Sequence, residues 1–437
     1  MSLSVRTYYF LGLTALLGGA GQWLGGPWQD LWRVPAALLI LGMLLEWRLT
    51  GRVVFTAECS ACEAIALGRP AVLGLQLQNF AASVLHIEAS IALAPVFQPE
   101  AETGFVHHCS LPAYGSAVLS CRVHATGLGE YEAGRLYTRL RGRLGLAWWR
   151  REFAVGRKLR VIPDSLEAVD LYPGLARRGA RPRRVQPGSE GGAELLQMRD
   201  YCPGDPMRLI DWKATARSGK PMVRVFSEEQ QLELVLLIDA GRGSRLQTGR
   251  LDRLHHYINV AARLGEAALR NGDRVGLVSF ADQPIETTSI GRGMPALIGI
   301  REHLERLRAR NTESNPLLAA LHLKTLLKHR GLVVFLTEIS GADSAGQLIK
   351  AAALLSPKHS ALIAGVMDED IERMRCETTG SWLDAYRNYA AQEYMQAVRR
   401  SMLRLRRLGG HVVLAKASDL DAKVMQGYLN LRQERRV

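Results

Sequence analysis

The sequence predicts an α/β protein: a doubly wound parallel sheet, preceded by a small antiparallel β domain and, at the amino terminus, a two-helix transmembrane hairpin. Three observations predict it. Residues 1–50 hold two apolar runs around a turn, residues 51–162 alternate apolar and polar with period two, and residues 231–437 alternate β-branched apolar segments with amphipathic helical ones. Residues 163–230 form a linker and a charged segment between the last two regions. With 437 residues, 47% hydrophobic and 22% charged, the chain can bury several cores, which excludes a disordered class. Its net charge of +14 favours anionic partners without choosing among nucleic acid, lipid and acidic protein.

The first element is built from "YYFLGLTALLGGAGQWL" (residues 8–24) and "LWRVPAALLILGMLLEW" (residues 31–47), separated by "GGPWQD". At about 1.5 Å per residue each run approaches the roughly 30 Å of a bilayer core. Trp23, Trp28, Trp32 and Trp47 stand at run ends, where indole favours an interface. Arg6, Arg48 and Arg52 flank the pair and the turn carries no Lys or Arg, so the positive-inside rule puts both flanks in the cytoplasm. A cleaved signal peptide ending near Ala20 is the competing reading, and it would reverse the topology. Six scattered cysteines fit a reducing compartment rather than a disulfide framework. Cys59, Cys62 and Cys109 with its neighbouring histidines lack the spacing of a zinc site and read as small hydrophobes.

In the second element, segments such as "AVLGLQLQN" and "LHIEASIAL" alternate between Gly, Pro and Asn, the pattern of a small sandwich. Arg135, Arg139, Arg141 and Arg143 read as one solvated strand face. The linker then concentrates five arginines between Arg177 and Arg184, with prolines and glycines but no interleaved aromatics. Nucleic-acid binding through that run is therefore an alternative rather than the leading reading.

The third element begins with "LELVLLID", a run apolar enough for a strand buried on both faces. Amphipathic helices and further strands follow it, with Gly272, Gly331 and the Gly409–Gly410 pair at helix ends. Ligands of such sheets sit at the carboxyl ends of the strands, which directs attention to "DAGRGS", residues 239–244. A strand ending in Asp, a loop and a long helix resemble the von Willebrand factor A fold, whose metal site uses an Asp-x-Ser-x-Ser loop, a Thr from a later loop and an Asp after a later strand, where this chain has the longer Glu338. The matching positions are Asp239, Gly241, Gly243, Thr312 and Glu338. Glycine supplies no side-chain oxygen, so the resemblance implies a degenerate site with no cofactor, Mg²⁺ being the alternative.

Just upstream, "RDYCPGDPMRLIDWKATAR" gathers Arg199, Asp200, Tyr201, Pro203, Gly204, Asp205, Arg208, Asp211, Trp212, Lys213 and Arg217 around a Pro-Gly turn. With the regions around it, this segment resembles the bacterial family called domain of unknown function 58. The resemblance implies a membrane-anchored adaptor or assembly partner of a MoxR-type AAA+ ATPase, with no catalytic role. The family usually has an Asp-Pro turn where this chain has Arg143-Leu144. Read from its residues alone, the segment is an internally paired charge cluster that positions a surface, with Trp212 as its apolar body. No His lies in it, and GxSxG, HExxH and GxxxxGK[ST] are missing from the whole chain, so hydrolase, metalloprotease and self-contained NTPase readings lack their equipment. An enzyme using Asp205 and Asp211 is the remaining rival.

Overall fold

The computed structural model describes residues 2–434 except 25, 27–29, 31, 52–54, 60–63, 101–105, 143, 165–193, 204, 206, 228–231, 328, 340–341, 357 and 377–381. Several sequence expectations therefore lie outside the described residues: the Arg177–Arg184 run, Arg52, Cys62, Arg143 and Gly204. The chain divides into two compact units, residues 1–163 and 164–437.

The first unit carries helices α1 (Val5–Leu24) and α2 (Arg33–Gly51). Its strands are β1 (Phe55–Cys59), β2 (Ala64–Ala66), β3 (Pro70–Asn79), β4 (Leu85–Leu93), β5 (Phe97–Pro99), β6 (Val106–Leu111), β7 (Ser116–Ala125), β8 (Gly129–Arg141) and β9 (Ala147–Ile162). One sheet runs β1-β3-β7-β5 and is antiparallel throughout. The other runs β9-β8-β4-β6, with residues 2–3 and β2 added against β9. Period-two alternation buries Leu73, Leu75 and Leu77 of β3 and Leu119, Cys121 and Val123 of β7, while Gln76 and Ser120 point outward.

The second unit begins with β10 (Glu194–Asp200), α3 (Trp212–Ser218) and β11 (Met222–Ser227), a two-stranded antiparallel element. Then come β12 (Glu233–Asp239), α4 (Arg253–Arg270), β13 (Arg274–Phe280), β14 (Pro284–Gly291), α5 (Gly293–Arg306), α6 (Pro316–Leu326) and β15 (Gly331–Leu336). After them lie α7 (Ala342–Leu355), β16 (Ser360–Val366), α8 (Glu369–Cys376), α9 (Trp382–Arg407), β17 (His411–Ala415) and α10 (Leu420–Glu434). The six-stranded sheet has the order β14-β13-β12-β15-β16-β17, parallel except for the edge strand β14. Every residue of β12 and β15 is buried, because helices cover both faces. On one face Val235, Leu237, Val333 and Phe335 pack against Leu323 of α6, Leu348 and Ala352 of α7, and Val398 and Leu405 of α9.

The predicted fold class needs correction. Among the described residues no helix is long and apolar enough to cross a membrane. Glycines, Thr7, Thr14 and Gln22 dilute α1, and α2 ends in polar groups that belong to the β structure. Glu46 is fully buried there: its Oε1 accepts from the Gly145 and Leu146 N–H groups at 2.9 and 3.2 Å, and Oε2 accepts from Ala147 N–H at 3.0 Å. The Thr7 hydroxyl donates to the Leu146 carbonyl. The helix pair is thus pinned onto the β8–β9 connection through buried polar atoms, which a span in hydrocarbon would not supply. Nor is the chain a clear von Willebrand factor A-like fold behind such a hairpin. It is a mixed α/β molecule with five sheets among the described residues, three of them antiparallel throughout.

Candidate functional site

Two places gather the residues singled out by sequence. The first is the β10–α3–β11 element. Asp205 N–H donates to the Cys202 carbonyl at 3.0 Å, closing the turn across Pro203. Its carboxylate accepts from Cys202 N–H at 2.9 Å and from Arg199 Nη2 at 2.7 Å. The Arg199 hydrogen bond, with that backbone donor behind it, lowers the Asp205 pKa from the ordinary carboxylate value. Asp211 is the N-cap of α3, accepting from Lys213 and Ala214 N–H at 3.0 Å each. Its other oxygen accepts from Arg224 Nε at 2.8 Å, and that partner, with the cap bonds behind it, lowers the Asp211 pKa as well. Gly219, at φ 68°, closes the helix in the left-handed conformation that glycine favours.

The charge pairing expected here exists, but with a different partner. Sequence reasoning set Asp211 among Arg208, Lys213 and Arg217, whereas the strand residue Arg224, thirteen positions on, holds it. Lys213 and Arg217 are exposed on α3, and Asp200 is exposed at the end of β10, where it pairs with Met222. Tyr201 N–H donates to the Pro221 carbonyl at 2.9 Å. Trp212 is not the buried body of the cluster: it is 71% exposed, and Met207 beside the helix is 75% exposed. A helix of two turns, capped at both ends, presents Trp212 to solvent, and the 3-10 turn before it, Met207–Leu209, presents Met207.

The second place is the carboxyl edge of the six-stranded sheet. Asp239 ends β12 and is buried. Its Oδ1 accepts from Gly241 N–H at 2.8 Å and from the Ser314 hydroxyl at 2.5 Å, and Oδ2 accepts from the Thr337 hydroxyl at 2.6 Å. Burial raises the Asp239 pKa above the ordinary carboxylate value, against the pull of these donors. The Ser244 hydroxyl donates to the Asp239 carbonyl at 2.7 Å. Thr312 does not reach Asp239: its hydroxyl donates to Asp282 at 3.2 Å and its carbonyl accepts from Arg242 N–H at 2.8 Å. A Cβ on Gly241 would run into the Ser314 hydroxyl, and one on Gly243 into the Glu338 carboxylate. Glu338 in turn meets Arg253 of α4, whose Nη1 lies 3.0 Å from Glu338 Oε1 and whose Nη2 lies 3.3 Å from Asp368 Oδ2.

These residues do not fit a divalent cation. Both oxygens of Asp239 are engaged by internal donors, Gly241 and Gly243 bring none, and the nearby positive charge is a guanidinium already seated against Glu338. Among the described residues no group of three His, Cys, Asp or Glu is arranged for a metal ion. Sequence reasoning missed Ser314, Thr337, Arg253 and Asp368. Thr337 directly precedes Glu338 and Ser314 lies two places past Thr312, so both were close to positions already considered, whereas only packing brings Arg253 across from α4. A buried Ser279 and His303 pair, 2.9 Å apart, resembles catalytic machinery but lies wholly inside the core.

Residues 197–375 match the family described as "Protein of unknown function DUF58". The matched stretch runs from β10 to α8, so it contains both places described above. The chain is 26% identical over 195 residues to the uncharacterized protein Rv1480 of Mycobacterium tuberculosis, covering 43% of this chain and 57% of that one. It is 25% identical over 130 residues to the uncharacterized protein YeaD of Bacillus subtilis, covering 28% of this chain and 30% of that one. The chain thus spans just over half the length of the first relative and under a third of the second. Among solved structures, the CARDB domain of the PF1109 protein from Pyrococcus furiosus aligns with 25% of this chain and 93% of its own at 13% identity. The TM-score of that alignment, 0.16, carries no argument about fold.

Proposed function

We infer that this chain is a protein-interaction module working at the inner membrane of a bacterium with its bulk in the cytoplasm, as an adaptor or assembly partner of a MoxR-type AAA+ ATPase. One observation carries the reading: the DUF58-matching β10–α3–β11 element exposes Trp212 and Met207 from a frame in which Asp205 and Asp211 are held by Arg199 and Arg224. Large apolar side chains on a capped, hydrogen-bonded support are what a protein partner buries as an anchor. Catalysis by Asp205 and Asp211 is disfavoured, because arginine partners lower both carboxyls, whereas a general acid needs its pKa raised. The reading is metal-free and involves no nucleic acid.

The membrane part rests on α1 and α2, whose exposed residues include Tyr8, Phe10, Leu16, Leu38, Leu41 and Trp47. Such a surface suits the boundary between headgroups and acyl chains, where a helix pair lies along the bilayer without crossing it. The test is affinity purification of the full chain from membranes, with Trp212→Ala and Met207→Ala combined in one variant. An AAA+ ATPase that co-purifies with the parent and not with the variant, at equal melting temperature, is the expected result. Equal recovery with both would sink the reading.

A further inference from the structure

Helix α9 is bound to its own unit along a very narrow seam. Of its 26 residues only Asp384, Ala391, Val398 and Leu405 are buried, one in every seven. At 3.6 residues per turn the opposite face brings Trp382, Tyr386, Tyr389, Arg400, Leu403 and Arg407 into an arc of about 100°. Trp382 is 75% exposed and Tyr386 and Tyr389 are 69% exposed each, and Leu403 is half exposed. The Trp382 and Tyr386 rings meet edge to face at 6.3 Å, so the aromatic end is already ordered. Arg400 and Arg407 are exposed, and neither pairs with a carboxylate among the described residues.

This face is complementary to itself. Laid antiparallel against a second α9, so that paired residue numbers sum to a constant about the helix midpoint, Trp382 faces Arg407, Tyr386 faces Leu403 and Tyr389 faces Arg400. Glu393 then faces Gln396 across the two-fold axis, and no like charges meet. Each arginine lies over an aromatic ring, the arrangement in which a guanidinium gains from the ring's negative face. The aliphatic leucine covers the remaining tyrosine. Two-fold symmetry makes each such pair occur twice, which is how one modest patch becomes an isologous interface. A single-stranded nucleic acid is the poorer occupant, because the rings cluster at one end, edge to face, and do not form a run of open stacking platforms.

We propose that the outer face of α9 is a homodimer interface, formed by antiparallel pairing with a second copy of this chain through aromatic–arginine contacts. The helix lies beyond residues 197–375, and the pairing stands on its own observations, independent of any ATPase partner. A single helix pair covers less than the about 1,200 Å² of a standard stable interface, so the dimer dissociates in the micromolar range.

Sedimentation velocity on the full chain over a concentration series tests it. The parent should show a reversible monomer–dimer equilibrium, and Tyr389→Arg, which sets arginine against Arg400 twice per dimer, should weaken it about tenfold or more. Adding Arg400→Glu to Tyr389→Arg should restore association, because glutamate then faces arginine in the same register. Both positions are exposed, so circular dichroism and melting should be unchanged throughout. A chain monomeric at every concentration overturns the proposal. So does a dimer indifferent to Tyr389→Arg, or a double variant that stays monomeric. Binding of a single-stranded oligonucleotide or of anionic vesicles, lost on Arg400→Glu in a chain that never dimerises, reassigns the face to that ligand and overturns the proposal too.

Discussion

The guanidinium of Arg253 lies 3.0 Å from the carboxylate of Glu338 and is 2% exposed, seated at the carboxyl edge of the sheet. It spans Glu338, two residues past the end of β15, and Asp368, two past the end of β16, so one arginine on α4 ties together the loops of two strands. An internal cation thus stands where the sequence resemblance implied a degenerate metal site.

Replacing Arg253 with Met should remove the guanidinium that Glu338 and Asp368 share at a closed edge. Stability should fall by about 3 kcal/mol, the low end for breaking a buried pair, because Glu338 and Asp368 keep some solvent. Urea unfolding of the full chain measures it. Calorimetric titration of the same variant with Mg²⁺ should show no binding, since Gly241 and Gly243 still bring no oxygen; micromolar affinity would mean that the arginine alone had excluded the ion.

Asp239 has a raised pKa, and the sign of its effect follows. Below the unfolded carboxyl value of about 3.9 it is protonated in both states and costs nothing. As pH rises through the raised folded value, the native state must hold a buried charge and loses stability. Asp239→Asn keeps an acceptor for Gly241 and Ser314 and can donate to Thr337. It should fold, and its stability above neutral pH should match or exceed the parent's; a loss as large as that of Asp239→Ala would refute this account.

Asp211 acts in the opposite sense. Its folded pKa is lowered, so its contribution is present above the unfolded value and disappears as pH falls through the folded one. Asp211→Asn should therefore lower the melting temperature at neutral pH and shrink the acid-induced loss between about pH 5 and 3. Trp212→Ala, at an exposed position, should change melting little. A large drop with Trp212→Ala would show that the ring is buried in solution.

Glu46→Ala should cost about 3 kcal/mol or more, because the Gly145, Leu146 and Ala147 N–H groups would be left without their acceptor. Gly142→Ala should be damaging as well, since its Cβ would occupy the place of the Glu46 carboxylate. Thermal unfolding of the two variants checks both. Unchanged melting would mean that α2 is not docked on the β8–β9 connection.

Local pattern determined much of this protein. Period-two alternation fixed which residues of β3 and β7 face inward, because side chains on a strand must take opposite sides. The continuous apolar run ending at Asp239 marked a strand buried on both faces, and the segment around Pro203 announced a charge-paired turn. What the sequence could not decide were the partners. Glu46 reads as the polar end of an apolar helix until the β8–β9 connection turns three N–H groups toward it. Trp212 reads as core by composition, yet on a seven-residue helix beside a two-stranded sheet it is left exposed among the described residues. Arg224 for Asp211, and Arg253 for Glu338, come from strands and helices 13 and 85 positions away, distances at which charge patterns along a chain carry no information. Tertiary packing alone chose those pairs, because burial makes an unpaired charge costly and leaves only the partner that the fold brings within reach.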